Sequence, residues 1–109
     1  MAEVVVVALF KTKAGSEGEA TEALLDAGAQ THEEEGCLAY ALHRSGDDPT
    51  QLALVERWRS REDLNEHFTK PYIAALGERA AEVLDGAPQV QILEPVPGGD
   101  PAKGTLAGT

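Results

Sequence analysis

Val4 to Phe10 is an unbroken apolar run of seven residues, four of them valine. It is too short for a buried helix and rich in the branched side chains that suit a pleated strand. Successive residues of a strand point to opposite faces. Val4, Val6, Ala8 and Phe10 therefore line one face, and Val5, Val7 and Leu9 the other. Neither face of such a strand is suited to water, so the chain must cover both.

The elements that follow can cover one of them. Ala14-Gly15 closes the strand. Ser16, three residues before Glu19, predicts a capping box that opens a helix. Ala20, Ala23, Leu24, Ala27 and Thr31 recur at helical spacing on one side of it. Gly36 is expected to end this helix in a left-handed cap. Glu33, Glu34 and Glu35 fall in its last turn, where the helix dipole disfavours acids, and all three read as solvated. Cys37 to Arg44 predicts a second strand, with Leu38, Tyr40 and Leu42 opposing Cys37, Ala39 and Ala41. Ser45 to Pro49 is a turn cluster, and Gln51 to Arg59 a third strand antiparallel to the second. Ser60, with Asp63 three residues on, begins a second helix in which Leu64, His67 and Phe68 share a face. Pro71 interrupts that helix and restarts it as a first-turn residue. Ile73, Leu76, Ala80 and Leu84 continue the stripe until Asp85-Gly86. Gln89 to Glu94 is a short fourth strand.

The order β-α-β-β-α-β predicts an α+β fold of the ferredoxin-like type, one antiparallel sheet with both helices on the same side, over residues 1–95. Its second face is again apolar, and a second copy of the sheet is the simplest cover, giving a homodimer through the sheet faces. Residues 96–109 contain six glycines and prolines and predict no regular element.

Charge narrows the partners. Nine basic against nineteen acidic residues leave a net charge of −10. That field repels nucleic acid and anionic membrane, so neither is expected as a partner. The single cysteine, Cys37, forbids an internal disulfide and suits a reducing cytoplasm. Cys37, His32, His43 and His67 show no metal-ligand spacing, so no zinc-finger-type site is expected. No apolar run approaches a membrane span, and the start, Met-Ala-Glu-Val, lacks the basic segment of a signal peptide.

Chemistry is expected between the sheet and its helices. Leu52, Leu54, Glu56 and Trp58 share a face of the third strand. A carboxyl flanked by Leu54 and Trp58 must be paired or must titrate upward. His67, Tyr40 and Tyr72 are the residues available to answer it. His67 on the buried side of its helix reads either as a general base or acid, or as a boundary histidine bonded to Glu56 or to a backbone carbonyl. Glu56 reads as its partner or as a lock between strand and helix. Trp58 reads as core or as a ligand platform, and Tyr40 and Tyr72 as core residues with hydroxyls at the cleft rim. His32 reads as structural, His43 as exposed, and Cys37, with no adjacent base, as a buried thiol. Gly98-Gly99 is no phosphate loop, since neither Lys-Ser/Thr nor a helix follows.

Glu35-Gly36-Cys37-Leu38 with Tyr40, then Asp48-Pro49, Glu56-Arg57-Trp58, His67-Phe68 and Pro71 together resemble the antibiotic biosynthesis monooxygenase (ABM) domain, in particular its quinol monooxygenase-like members, over about residues 4–95. The resemblance implies a dimeric α+β barrel. It also implies oxidation of polycyclic phenols or hydroquinones to quinones by O2 without metal, haem or flavin. Carried over by position, it makes His67 the base or hydrogen-bond partner and Glu56 the residue that orients it. Trp58, Phe68 and Tyr72 would form an aromatic wall, with Tyr40 and Leu54 completing the lining around an aromatic small molecule. Haem-degrading relatives of this fold carry an asparagine in the first strand, where this chain has Val7 and Ala8, and a tryptophan where it has His67, so haem degradation is not implied. The fold also serves isomerases. A non-oxidative isomerase or lyase using the same acid–base pair, and a dimeric binding module without turnover, are the alternatives at this point.

Overall fold

The computed structural model describes residues 2–107. Its elements are β1 (Val4–Lys11), α1 (Glu17–Thr31), β2 (Cys37–Arg44), β3 (Gln51–Trp58), α2 (Arg61–His67), α3 (Pro71–Val83) and β4 (Gln89–Leu93). The strands form one antiparallel sheet in the order β2-β3-β1-β4, the ferredoxin-like arrangement expected from the sequence. The second expected helix is two, α2 and α3, with Pro71 as the first residue of α3.

Register assigns the faces. Val6 stands opposite both Glu56 and Ile92, and Glu56 opposite Tyr40, so these four form one rung on the helix side. The next rung is Leu42, Leu54, Ala8 and Val90. Val4, Val6, Ala8, Tyr40, Leu54 and Trp58 pack there with Leu64 of α2. Farther along, Leu52 packs with Ala20 and Leu24 of α1 and with Val83 and Leu84. Cover thins toward β4. Val6 and Ala8 are buried, whereas Ile92 is 38% and Val90 50% exposed.

The other face carries Val5, Val7 and Leu9 of β1, Ala53 and Val55 of β3, and Ala39 and Ala41 of β2. No helix of the described residues lies over it, and Leu9 is 48% exposed. At one edge Arg57 donates from Nε and Nη2 to the two carboxylate oxygens of Glu3, both at 2.9 Å. Beyond β4 the chain makes turns and no helix or strand among the described residues, with Ala102 N–H and Gly104 N–H bonded to Asp100.

Three local expectations are corrected. The Ser16 side chain makes no capping bond. Glu17 instead accepts from the N–H of Gly15, whose φ of 89° makes the turn. Gly36 has no positive φ. α1 ends earlier, at Thr31, and Gly36 is required for space, because a Cβ there would lie 2.4 Å from the Cβ of Asp63. Leu38 does not share a face with Tyr40. A bulge between Cys37 and Ala39 turns it outward to 47% exposure and puts Cys37 against the core with Tyr40 and Leu42. The Ser60 cap forms as read: its hydroxyl oxygen accepts from Asp63 N–H at 3.2 Å and its proton goes to Asp63 Oδ2 at 2.8 Å.

Candidate active site

The Ser60 cap and the burial of Leu64 fix α2 on the sheet, and His67, one turn later, is carried inward with it. His67 is 2% exposed and stacks beside Trp58 with ring centroids 4.6 Å apart. Tyr40, Phe68 and Tyr72 surround it at 5.9, 5.7 and 6.2 Å between centroids. The histidine is thus held by aromatic rings on most sides.

Its polar partner is Glu34 and not Glu56. Nδ1 of His67 lies 2.7 Å from Oε2 of Glu34. The hydroxyl of Tyr72 donates to the same oxygen and lies 3.1 Å from Thr31 Oγ1. A carboxylate can only accept, so Nδ1 carries a proton, and in the neutral ring Nε2 is then the acceptor. Glu34 sits just past α1, in a turn where its N–H bonds to Thr31 O and its carbonyl accepts from Cys37 N–H. Arg59 N–H bonds to Gly36 O and ties that turn to the start of α2. The bare α-carbon of Gly36 against Asp63 lets the two segments approach. The expectation that all three acids face solvent therefore fails for Glu34, because two donors meet it inside. Glu33 and Glu35 are exposed as expected.

The sequence does not mark Glu34 or Thr31 as site residues. The signal was present: Ala27, Thr31 and Glu34 continue the buried stripe of α1 at spacings of four and three.

Glu56 is 6% exposed, and its Oε1 accepts from Trp58 Nε1–H at 2.9 Å. Burial pushes its carboxyl up to about 7; the indole N–H pulls the other way, and the Glu34 charge adds to the rise. Burial, with Glu56 beside it, holds the Tyr40 phenol well above its usual range. Burial and then the bond to Glu34 push Tyr72 up to about 12. Burial, followed by the Glu34 and Glu56 charges, raises the Cys37 thiol, which fits an inert cysteine.

Among the described residues Thr12 Oγ1 is the one sealed side-chain polar atom without a partner. Among the described residues neither His67 Nε2 nor Glu56 Oε2 has a hydrogen-bond partner. The sheet beside them runs from Tyr40 and Glu56 through the buried Val6 and Ala8 to the half-exposed Ile92 and Val90, with Phe68, just past α2, 49% exposed. A shallow cavity lined by Val4, Ser60, Arg61, Ile92 and Leu93 adjoins this strip. Of the expected lining, Tyr40, Phe68 and Tyr72 stand around His67. Leu54 lies buried one rung below Glu56, and Trp58 is fully buried and backs the imidazole. His32 bonds Tyr40 O through Nε2 at 2.9 Å, a structural tie as read.

Residues 3–85 match the family model described as antibiotic biosynthesis monooxygenase. The chain belongs to this family. A Mycobacterium tuberculosis relative, Rv0793, which carries the provisional name of a monooxygenase, is 36% identical over 94 residues, 85% of this chain and 91% of its own. Its solved structure superposes with a TM-score of 0.83 at 30% identity, covering 89% of this chain and 98% of that one. A Caulobacter crescentus structure, provisionally described as an antibiotic biosynthesis monooxygenase, gives 0.82 at 29% identity over 87% and 91%. PA3566 of Pseudomonas aeruginosa gives 0.82 at 20% identity over 88% and 96%, a likeness of fold. As an ABM domain the chain holds its family's ferredoxin-like fold, and no helix of the described residues is long and apolar enough to cross a membrane.

Proposed function

We propose that this ABM protein is a cofactor-independent monooxygenase that oxidises a phenolic or hydroquinone small molecule with O2, and that His67 is its base. The observation that carries the reading is the Glu34–His67 pair. It leaves Nε2 without a protein partner in an aromatic cluster whose sheet continues to the half-exposed Ile92 and Val90.

The reaction balances without an added reductant. A phenol with a free ring C–H plus O2 gives a quinone plus water. Nε2 takes the phenolic proton, and the phenolate supplies the electrons. One oxygen atom bonds to the ring carbon and the other leaves as water. Trp58, Tyr40 and Leu64, all buried, keep bulk water from the imidazole and strengthen its interaction with Glu34. Tyr72 holds Glu34 from the other side. The relatives named as monooxygenases support the oxidative reading.

A second copy of the chain is proposed as the cover of the outer sheet face. Val5, Val7, Leu9, Ala53 and Val55 give that face the apolar character of an interface core, and burying about 800 Å² per subunit makes a standard interface.

Oxygen uptake with a panel of dihydroxynaphthalenes in the presence of a chelator tests the function. The expected result is one O2 consumed per quinone formed. Conversion of the same substrates at equal rate under anaerobic conditions would overturn it in favour of an isomerase or lyase, and no conversion at all would favour a binding module.

A further inference from the structure

Glu56 makes no hydrogen bond to His67, yet it is a buried carboxyl with Oε1 held by Trp58 and Oε2 without a partner among the described residues. We propose that Glu56 is a second catalytic residue, which delivers a proton to the peroxide formed on the ring and takes back the ring C–H proton. The inference rests on the oxidative reading of the same site.

The geometry supports it on three counts. Trp58 Nε1–H occupies Oε1 and fixes the plane of the carboxyl, so Oε2 has a defined direction. Glu56 sits in the rung Tyr40, Glu56, Val6, Ile92, which leads from the buried aromatic cluster to the half-exposed edge. A ring entering from the half-exposed Ile92 and Val90 meets this rung from its open side, with the carboxyl two strands farther in. His67 and Glu56 also contact the same indole, His67 through its ring and Glu56 through the N–H, so both proton-transfer groups stand against one side chain. The other titratable groups facing Glu56 are Tyr40 and Cys37 on β2, Glu34 in the α1–β2 turn and His67 on α2. Glu34 is committed to two donors, and burial holds the Tyr40 phenol and the Cys37 thiol in their protonated forms.

The four proton movements then close. His67 takes the phenolic proton as the C–O bond to oxygen forms. Protonated Glu56 gives its proton to the peroxide anion. The Glu56 carboxylate takes the proton from the same ring carbon while the O–O bond breaks and C=O forms. His67 returns its proton to the departing hydroxide, and water leaves. Both residues end as they began. A carboxyl that must start protonated is matched by the desolvation of Glu56, which titrates near 7 and not in the ordinary carboxylate range. The group would also donate a hydrogen bond to a second oxygen on the ligand. The preferred substrate is thus an aromatic that already bears two oxygens, and a simple monophenol is a poor one.

The test uses two measurements on the wild-type protein and on Glu56→Gln, which keeps an acceptor for Trp58. Binding of naphthoquinone, which needs no turnover, should weaken in the wild type as pH rises through about 7. In Glu56→Gln it should be pH-independent. Turnover of a dihydroxynaphthalene should fall by about 100-fold or more in Glu56→Gln and recover in part in Glu56→Asp. Equal pH dependence of binding in both proteins, or full turnover in Glu56→Gln, would overturn the role of Glu56 and leave His67 as the base. Tight, pH-dependent naphthoquinone binding without oxygen uptake by any variant would retain Glu56 as the ligand's donor, overturn its proton-transfer step and reject the oxidative reading.

Discussion

Nδ1 of His67 and Oε2 of Glu34 lie 2.7 Å apart although 33 positions separate them in the chain. The turn after α1 and the end of α2 meet at this bond. It sets the tautomer of the imidazole and hence which nitrogen can accept a proton.

Replacing Glu34 therefore acts on chemistry more than on binding. Glu34→Ala should lower turnover by about 100-fold, the effect of a misplaced catalytic group, with little change in naphthoquinone affinity. Glu34→Gln keeps an acceptor for Nδ1–H and should lose less. Nitrogen NMR of His67 should report Nδ1–H in the wild type and a tautomer mixture in Glu34→Ala. A turnover unchanged in both variants would separate Glu34 from the reaction.

Gly36 controls the approach of the same two segments. A methyl group there meets Asp63 Cβ at 2.4 Å, and Asp63 is held by Ser60 and Arg59. Gly36→Ala should destabilise the protein by about 1–3 kcal/mol in urea unfolding, the cost of overpacking. It should also weaken the His67–Glu34 bond. The cost should shrink in an Asp63→Gly background, where the room is restored.

Glu56 makes stability depend on pH. Its carboxyl rises from 4.5 in the ordinary state to about 7 when folded. The folded state thus favours the protonated form, and the stability this contributes is complete below about 4.5, declines as pH rises and is lost above about 7. The size is of order 3 kcal/mol, from about 1.4 kcal/mol per pH unit. The difference in unfolding free energy between wild type and Glu56→Gln should move against the wild type by that order between pH ~5 and ~8. A constant difference would contradict the buried, protonated carboxyl.

The outer sheet face gives a physical test of assembly. Sedimentation at micromolar concentration should find a particle of twice 11.5 kDa. Val55→Glu, which puts a charge beside Val7 and Ala41, should shift it to a folded monomer. A stable wild-type monomer would reject a second copy as the cover.

The strand order, the helix break at Pro71 and the gathering of Tyr40, Glu56, Trp58 and His67 were all legible, because each rests on local periodicity or on residues that alternate along one strand. The pairing of His67 was not. The dipole rule for helix ends, which points Glu34 to solvent, concerns solvated acids, and buried donors such as His67 and Tyr72 outweigh it. Gly36 was judged by its frequent role as a cap, yet what fixes it is the approach of Asp63, 27 positions later in the chain, which no local pattern records. Leu38 was misplaced because a single bulge reverses the alternation on which strand faces are read.

The base itself is tested most directly by His67→Ala in steady-state oxygen uptake on a dihydroxynaphthalene, with naphthoquinone binding measured on the same preparation. Turnover should fall by about 100-fold to 10,000-fold while binding persists. Oxygen uptake by His67→Ala at the wild-type rate would contradict the account.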